Sequence, residues 1–148
     1  MTDARKRKVL FLCTGNACRS QMAEAFAREL TCCDVEPYSA GIVAAGILPE
    51  TIEVMQEIGY DLSGHNSKQL HELADIDFDT VVTLCDYAHQ TCPIFPGKTR
   101  VIHRGFDDPP SLARTAKTPE EALGHYRRVR DEIKAFIETL PEALEKKN

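Results

Sequence analysis

The residues best equipped for chemistry lie in one short stretch, Cys13-Thr14-Gly15-Asn16-Ala17-Cys18-Arg19-Ser20. Five residues separate a cysteine from an arginine, enough for the backbone to curl into a concave cup whose N–H groups face a tetrahedral anion. Gly15 is expected to relieve the turn, and the Arg19 guanidinium offers a planar fork of donors to two anion oxygens. A helix starting at Arg19 would add positive potential beneath the cup, favouring both a bound oxyanion and a thiolate at Cys13. Ser20 is placed to hydrogen-bond that sulfur. Cys13 is thus a candidate nucleophile, and Thr14, Gly15, Asn16, Ala17, Cys18, Arg19 and Ser20 are candidate oxyanion-binding residues. The bare Cys-to-Arg spacing is weak, expected by accident roughly 0.4 times in a chain with this many cysteines and arginines. Its context carries the reading: an apolar run before it, Gly and Asn within, Ser after, and an amphipathic segment opening at the arginine. The plainer alternative is an ordinary strand-to-helix turn around a buried cysteine.

Two more cysteines and one acid extend the set. If Cys85 to Cys92 is helical, the pair lies about 10.5 Å apart along the axis, whereas a disulfide tolerates a Cα separation of only about 4.4 to 6.8 Å. Should they bond, the segment between them must unwind or loop out, and Pro93 marks where helix stops easily. On spacing alone they read equally well as two buried apolar thiols. Asp107-Asp108-Pro109 holds a candidate general acid. Displacing an oxygen from an oxyanion expels a hydroxide-like group, and protonating it is worth typically two to four powers of ten in rate. An acid before proline is also a common turn residue. Cys32-Cys33 are adjacent, no Cys/His pair has zinc-ligand spacing and the five His are scattered, so no metal site is expected.

The elements that must hold these residues follow from hydrophobic patterning. Val9 to Leu12 is a continuous apolar run, as in a strand buried on both faces. Arg19 to Leu30 places Met22, Ala23, Phe26, Ala27 and Leu30 on one helical face. Val35 to Ala40 reads as a second strand closed by Gly41. Pro49 opens a helix with Ile52, Met55 and Ile58 as its inner face, ending at Gly59. Ser67 to Ala74 is a further short helix. Thr80 to Leu84 and Thr99 to His103 read as third and fourth strands. The last helix opens on the cap signal Thr118-Pro119-Glu120-Glu121 and keeps Leu123, Tyr126, Val129, Ile133, Phe136, Ile137 and Leu140 on one side. Strands alternating with helices imply a parallel sheet covered on both faces, a three-layer α/β fold. No linker or repeat interrupts residues 1–148, which are read as one domain, with a frayed tail from Glu145.

Composition narrows the class. With 148 residues and 43% apolar content, the chain can bury a core without disulfides or metal. Its net charge of −5 argues against general binding to nucleic acid or an anionic membrane. The apolar run after Arg5-Lys6-Arg7-Lys8 is too short for a signal segment, and no later run approaches a membrane span. A reducing cytoplasm is the expected compartment, where six cysteines serve as thiols rather than bridges.

The Cys13 to Met22 segment, Tyr38-Ser39-Ala40-Gly41, Val81 to Cys85, Cys92-Pro93-Ile94, Gly105 to Pro109 and Arg127 to Ile133 together resemble the thioredoxin-coupled arsenate reductases. These share their fold and Cys-x5-Arg-Ser loop with low-molecular-weight tyrosine phosphatases. The resemblance implies a central four-stranded parallel sheet and reduction of arsenate to arsenite. It also implies a relay: Cys13 forms an arsenate adduct, Cys85 attacks Cys13 and releases arsenite, and Cys92 attacks Cys85 to leave a disulfide for thioredoxin. Catalytic roles then fall to Cys13, Arg19, Cys85, Cys92 and Asp108. Arsenate and thioredoxin are the implied partners, with no tightly bound cofactor and a monomer expected. Some relatives hold potassium through side chains corresponding to Asn16, Glu24 and Ser39 plus an acid. Lys68 stands where that acid would be, and its ammonium could take the cation's place, which argues against potassium. A tyrosine phosphatase is the alternative, yet phosphatases of this fold usually carry tyrosines after Asp-Pro, where this chain has Pro110 and Ser111. A binding or redox-sensing module would need neither Asp108 nor the second pair of cysteines.

Overall fold

Four β-branched or apolar runs pair as parallel strands in the computed structural model, which describes residues 6–31, 34–93, 95 and 98–145. They are β1 (Arg7–Cys13), β2 (Val35–Gly41), β3 (Thr80–Thr83) and β4 (Arg100–His103), in the spatial order β2-β1-β3-β4. The helices are α1 (Arg19–Leu30), α2 (Pro49–Gln56), α3 (Asp86–Thr91), α4 (Pro109–Ala113), α5 (Pro119–Glu138) and α6 (Leu140–Glu145), with a 3-10 turn at Leu70–Leu73. Val9, Leu10, Phe11 and Leu12 are all fully buried, so both faces of β1 are covered and the three-layer α/β expectation holds. α1 and α5 pack together and α1 lies against β1 and β2, while α3 touches β1 and β3.

The strand order changes direction between β1 and β3: the chain moves from β1 to β2 on one side, then crosses to β3 on the other. Parallel sheets present ligand sites outside the carboxyl ends of strands at such a switch point. Here those ends deliver Cys13, after Leu12, and Cys85, two residues beyond Thr83, with Leu12 and Thr83 in direct register.

Several local expectations are corrected. α1 has the predicted bounds, but Leu30, at its last position, is 40% exposed rather than on the inner face. α2 ends at Gln56 and turns inward Thr51, Val54 and Met55, leaving Ile52 and Ile58 exposed. The rotation follows a polar tie, since the Thr51 hydroxyl donates to the Ala17 carbonyl at 3.2 Å. Ser67 to Ala74 condenses to the 3-10 turn, capped by Gln69 and Glu72. Leu84 lies just beyond β3, Thr99 just before β4, and Leu140 opens α6 instead of extending α5. α3, α4 and α6 are additional elements. Arg130, inside α5, is buried and bonds the Val54 carbonyl and Glu57, fastening α2 to α5. Cys32, Cys33, Ile94 and the tail beyond Glu145 lie outside the described residues. No described helix is long and apolar enough to cross a membrane.

Candidate active site

The loop from Cys13 to Cys18 is shaped from outside. Its carbonyls accept hydrogen bonds from Ile42 N at Cys13, Val43 N at Thr14, Ala45 N at Gly15, Leu48 N at Ala17 and Met22 N at Cys18. The Asn16 carbonyl accepts from Gln21 Nε2. A peptide whose C=O points outward turns the following N–H inward, so this run of bonds aims successive amides at a common centre. α1 begins there with no side-chain cap and no acid in its first turn, which leaves its N-terminal donors available to an anion.

The conformational strain sits elsewhere than expected. Gly15 is not the left-handed residue; Asn16 is, at φ 50°. Asparagine tolerates that region because its short polar side chain bonds locally. The glycine that the loop requires is Gly41 at the end of β2: a Cβ there would fall 2.2 Å from Val43 O and 2.6 Å from Asn16 N.

Side chains then fix the nucleophile. Asn16 Oδ1 accepts from Gln21 Nε2 at 2.9 Å and from Lys68 N at 2.8 Å, which orients its Nδ2 to donate to Ser20 Oγ at 2.7 Å. With Ser20 accepting from Asn16, its own proton is free for Cys13 Sγ, 2.8 Å away. Gln21, fully buried, was not singled out from sequence; only a polar residue on the inner side of an amphipathic helix marks it.

Arg19 is buried and bonds the Phe106 carbonyl at 3.0 Å and Asp108 Oδ1 at 3.2 Å. Ser111 Oγ holds the other Asp108 oxygen at 2.6 Å. The fork and the acid therefore meet at the mouth of a cavity of about 260 Å³, bordered by Cys13, Gly15, Ala45, Leu48 and Pro110, with no aromatic ring among its described lining residues. Cys18 also faces it, but burial pushes that thiol up to about 12, so it stays protonated and is no rival nucleophile.

Cys85 is buried, and its Sγ meets Thr14 Oγ1 at 3.3 Å and accepts from Ala88 N at 3.4 Å as the cap of α3. Cys92 lies at the far end of α3, half-buried, with its thiol raised by desolvation. The structure thus places Cys85 against Thr14 of the loop and leaves Cys92 a helix away; all four described cysteines are free thiols.

The cluster compared with a potassium site is satisfied internally. Glu24 takes the Ser39 hydroxyl on one oxygen and Arg28 Nη2 on the other at 2.6 Å, while Lys68 Nζ bonds the Asn66 carbonyl at 2.9 Å. The cation beside Glu24 is Arg28, not the Lys68 ammonium expected there. No group of three or more His, Cys, Asp or Glu among the described residues could hold a metal ion.

Residues 8–148 match the model of the low molecular weight phosphotyrosine protein phosphatase family. An arsenate reductase of Halalkalibacterium halodurans is 43% identical over 137 residues, covering 93% of this chain and 96% of that one. A solved structure of an arsenate reductase in the phosphate binding state superposes with a TM-score of 0.74 at 29% identity, covering 94% of this chain and 99% of the other. The thioredoxin-dependent arsenate reductase of Corynebacterium glutamicum gives 0.71 at 25% identity, covering 97% of this chain and 64% of that one. By its family match and by the extent of its curated relatives, the chain belongs to the low molecular weight phosphotyrosine protein phosphatase family.

Proposed function

We propose that the protein is an arsenate reductase that works through Cys13, Cys85 and Cys92 and is recycled by thioredoxin. The observation that carries this reading is the second thiol at the oxyanion loop: Cys85, buried, 3.3 Å from the hydroxyl of the residue after Cys13. Hydrolysis of a phosphate ester needs no such neighbour; reduction needs two electrons, which a pair of thiols supplies.

Arsenate enters the cup, and the Arg19 fork turns from Asp108 to two of its oxygens. The Cys13 thiolate, steadied by Ser20, attacks arsenic. An As–O bond breaks, and Asp108 supplies the proton with which that oxygen leaves as water. The Cys85 thiolate then attacks Cys13 Sγ. The Cys13–Cys85 bond forms, the S–As electron pair passes to arsenic, As(V) becomes As(III), and arsenite departs. Cys92 next attacks Cys85 and expels the Cys13 thiolate. A dithiol of the thioredoxin class reduces the Cys85–Cys92 disulfide. Burial that raises the Cys92 thiol fits this order, since unwinding α3 would hydrate the sulfur and free its thiolate only when needed.

The test is turnover of arsenate with thioredoxin, thioredoxin reductase and NADPH, beside Cys92→Ser and beside para-nitrophenyl phosphate as substrate. NADPH oxidation that requires arsenate and disappears in Cys92→Ser is expected. Hydrolysis of the ester with no NADPH consumption on arsenate would overturn the reading in favour of a phosphatase.

A further inference from the structure

The segment joining Cys85 and Cys92 carries a fastening that the relay does not use. His89, on α3, places Nδ1 3.1 Å from Thr83 Oγ1, and His103, at the end of β4, places its own Nδ1 2.9 Å from the same oxygen. Thr83 and His103 are register partners in the sheet, and the two imidazoles stack with centroids 4.4 Å apart. The Thr83 hydroxyl has one proton, given to one ring nitrogen or to the Ile102 carbonyl 3.4 Å away, and its oxygen accepts from an imidazole N–H, so one hydroxyl ties both rings. At the outer end, His103 Nε2 faces Asp86 Oδ1 at 3.2 Å, an exposed contact.

We propose that His89, Thr83 and His103 form a clasp that holds α3 helical, and that its opening paces the transfer of the disulfide from Cys13–Cys85 to Cys85–Cys92. The inference rests on the three-cysteine reading above. A six-residue helix is marginal by itself. Ala88 is its buried residue, and the Cys85 sulfur caps its first turn. Once Cys85 is bonded to Cys13, that sulfur is drawn toward the loop and away from the first turn it caps, which leaves the clasp and Ala88 as the main ties. The cysteines at the two ends of an intact helix are too far apart to bond, so the ties must release before Cys92 can attack. Space for the movement adjoins it: Thr91, Pro93 and Phe95 border a cavity of about 520 Å³ walled opposite by Leu70, Leu73 and Phe78. The exchange itself is redox-neutral. The Cys92 thiolate forms a bond to Cys85 Sγ, the Cys13–Cys85 bond breaks, Cys13 leaves as thiolate, and the proton shed by Cys92 goes to solvent.

These are positioning residues, and the readout separates their step from the others. Stoichiometric arsenate without thioredoxin is mixed with the full-length protein, quenched over time with an alkylating reagent, and each disulfide is followed by peptide mass spectrometry. His89→Ala and the isosteric Thr83→Val should accelerate conversion of Cys13–Cys85 to Cys85–Cys92 by about three- to tenfold, the effect of one or two net hydrogen bonds. Formation of Cys13–Cys85 should keep its rate. His89→Asn, which sets an amide nitrogen near the place of Nδ1, should restore the slower exchange. Exchange at the parent rate in both His89→Ala and Thr83→Val, or equal changes in both steps, would overturn the clasp while leaving the relay standing. A parent protein that never forms Cys85–Cys92 would overturn the relay and the clasp with it.

Discussion

Six consecutive carbonyls of the Cys13 loop are bonded to partners outside it, whereas the Cys85 to Cys92 segment is held by one buried alanine, the Cys85 sulfur as cap and Thr14 contact, one shared threonine hydroxyl and the exposed Asp86–His103 contact. The loop is built to keep its shape whether or not an anion is present. On the proposed relay, a few bonds in the segment decide between helix and opened chain. Positioning an oxyanion against a nucleophile gains from preorganisation. Passing a disulfide along the chain gains from a low cost of unwinding. On this reading one fold carries a rigid site and a movable one, joined at Thr14 and Cys85.

The contrast can be broken first at Arg19. Arg19→Lys removes the planar fork and both of its present bonds, and kcat/KM for arsenate should fall about 100- to 1,000-fold, while a chemically formed Cys85–Cys92 disulfide should still be reduced by thioredoxin. Equal damage to both activities would mean that the two regions are not separable. Gly41→Ala strikes the loop's support: the added carbon collides with backbone at 2.2 Å, and stability should drop by about 1–3 kcal/mol in urea titration. A neutral result would show that the loop gives way more readily than its bonding suggests. The mildest test sharpens the movable side. Burial raises the Cys92 thiol above the ordinary value of 9.0, so its thiolate fraction grows with pH. The exchange step should rise about tenfold per pH unit from neutrality and continue through pH 9. A plateau near neutral pH would mean that the Cys92 thiol is held below its ordinary value, not above it, when it attacks.

The sequence made the rigid region legible because its signals are local. A strand run, a Cys-to-Arg loop and the amphipathic helix from Arg19 follow one another directly, and α1 has the predicted bounds. Its supports were hidden. Gly41 matters only where β2 meets the loop, and Thr51 turns inward for a carbonyl 34 residues away, against the apolar pattern of Ile52 and Ile58. α3 and α4, at six and five residues, are too short for a 3.6-residue period to declare itself. Four strands follow from patterning and from the resemblance alike. Only the resemblance distinguishes Asp108 from Asp107, and the structure sets Asp108 3.2 Å from Arg19. Thr83, His89 and His103 meet only through the β3–β4 register, which no single stretch of sequence displays.

A cup of inward amides with one guanidinium at its rim measures an anion by size, shape and charge, and on those terms arsenate and phosphate are nearly alike. On the proposed relay, selectivity arises after binding, in partitioning: the S–As electron pair can pass to arsenic(V) when Cys85 attacks Cys13, while phosphorus(V) offers no accessible lower state and the neighbouring thiol has nothing to displace. The abundant anion would then act as a reversible occupant and the rare one as a committed substrate, told apart by the second cysteine rather than by the pocket.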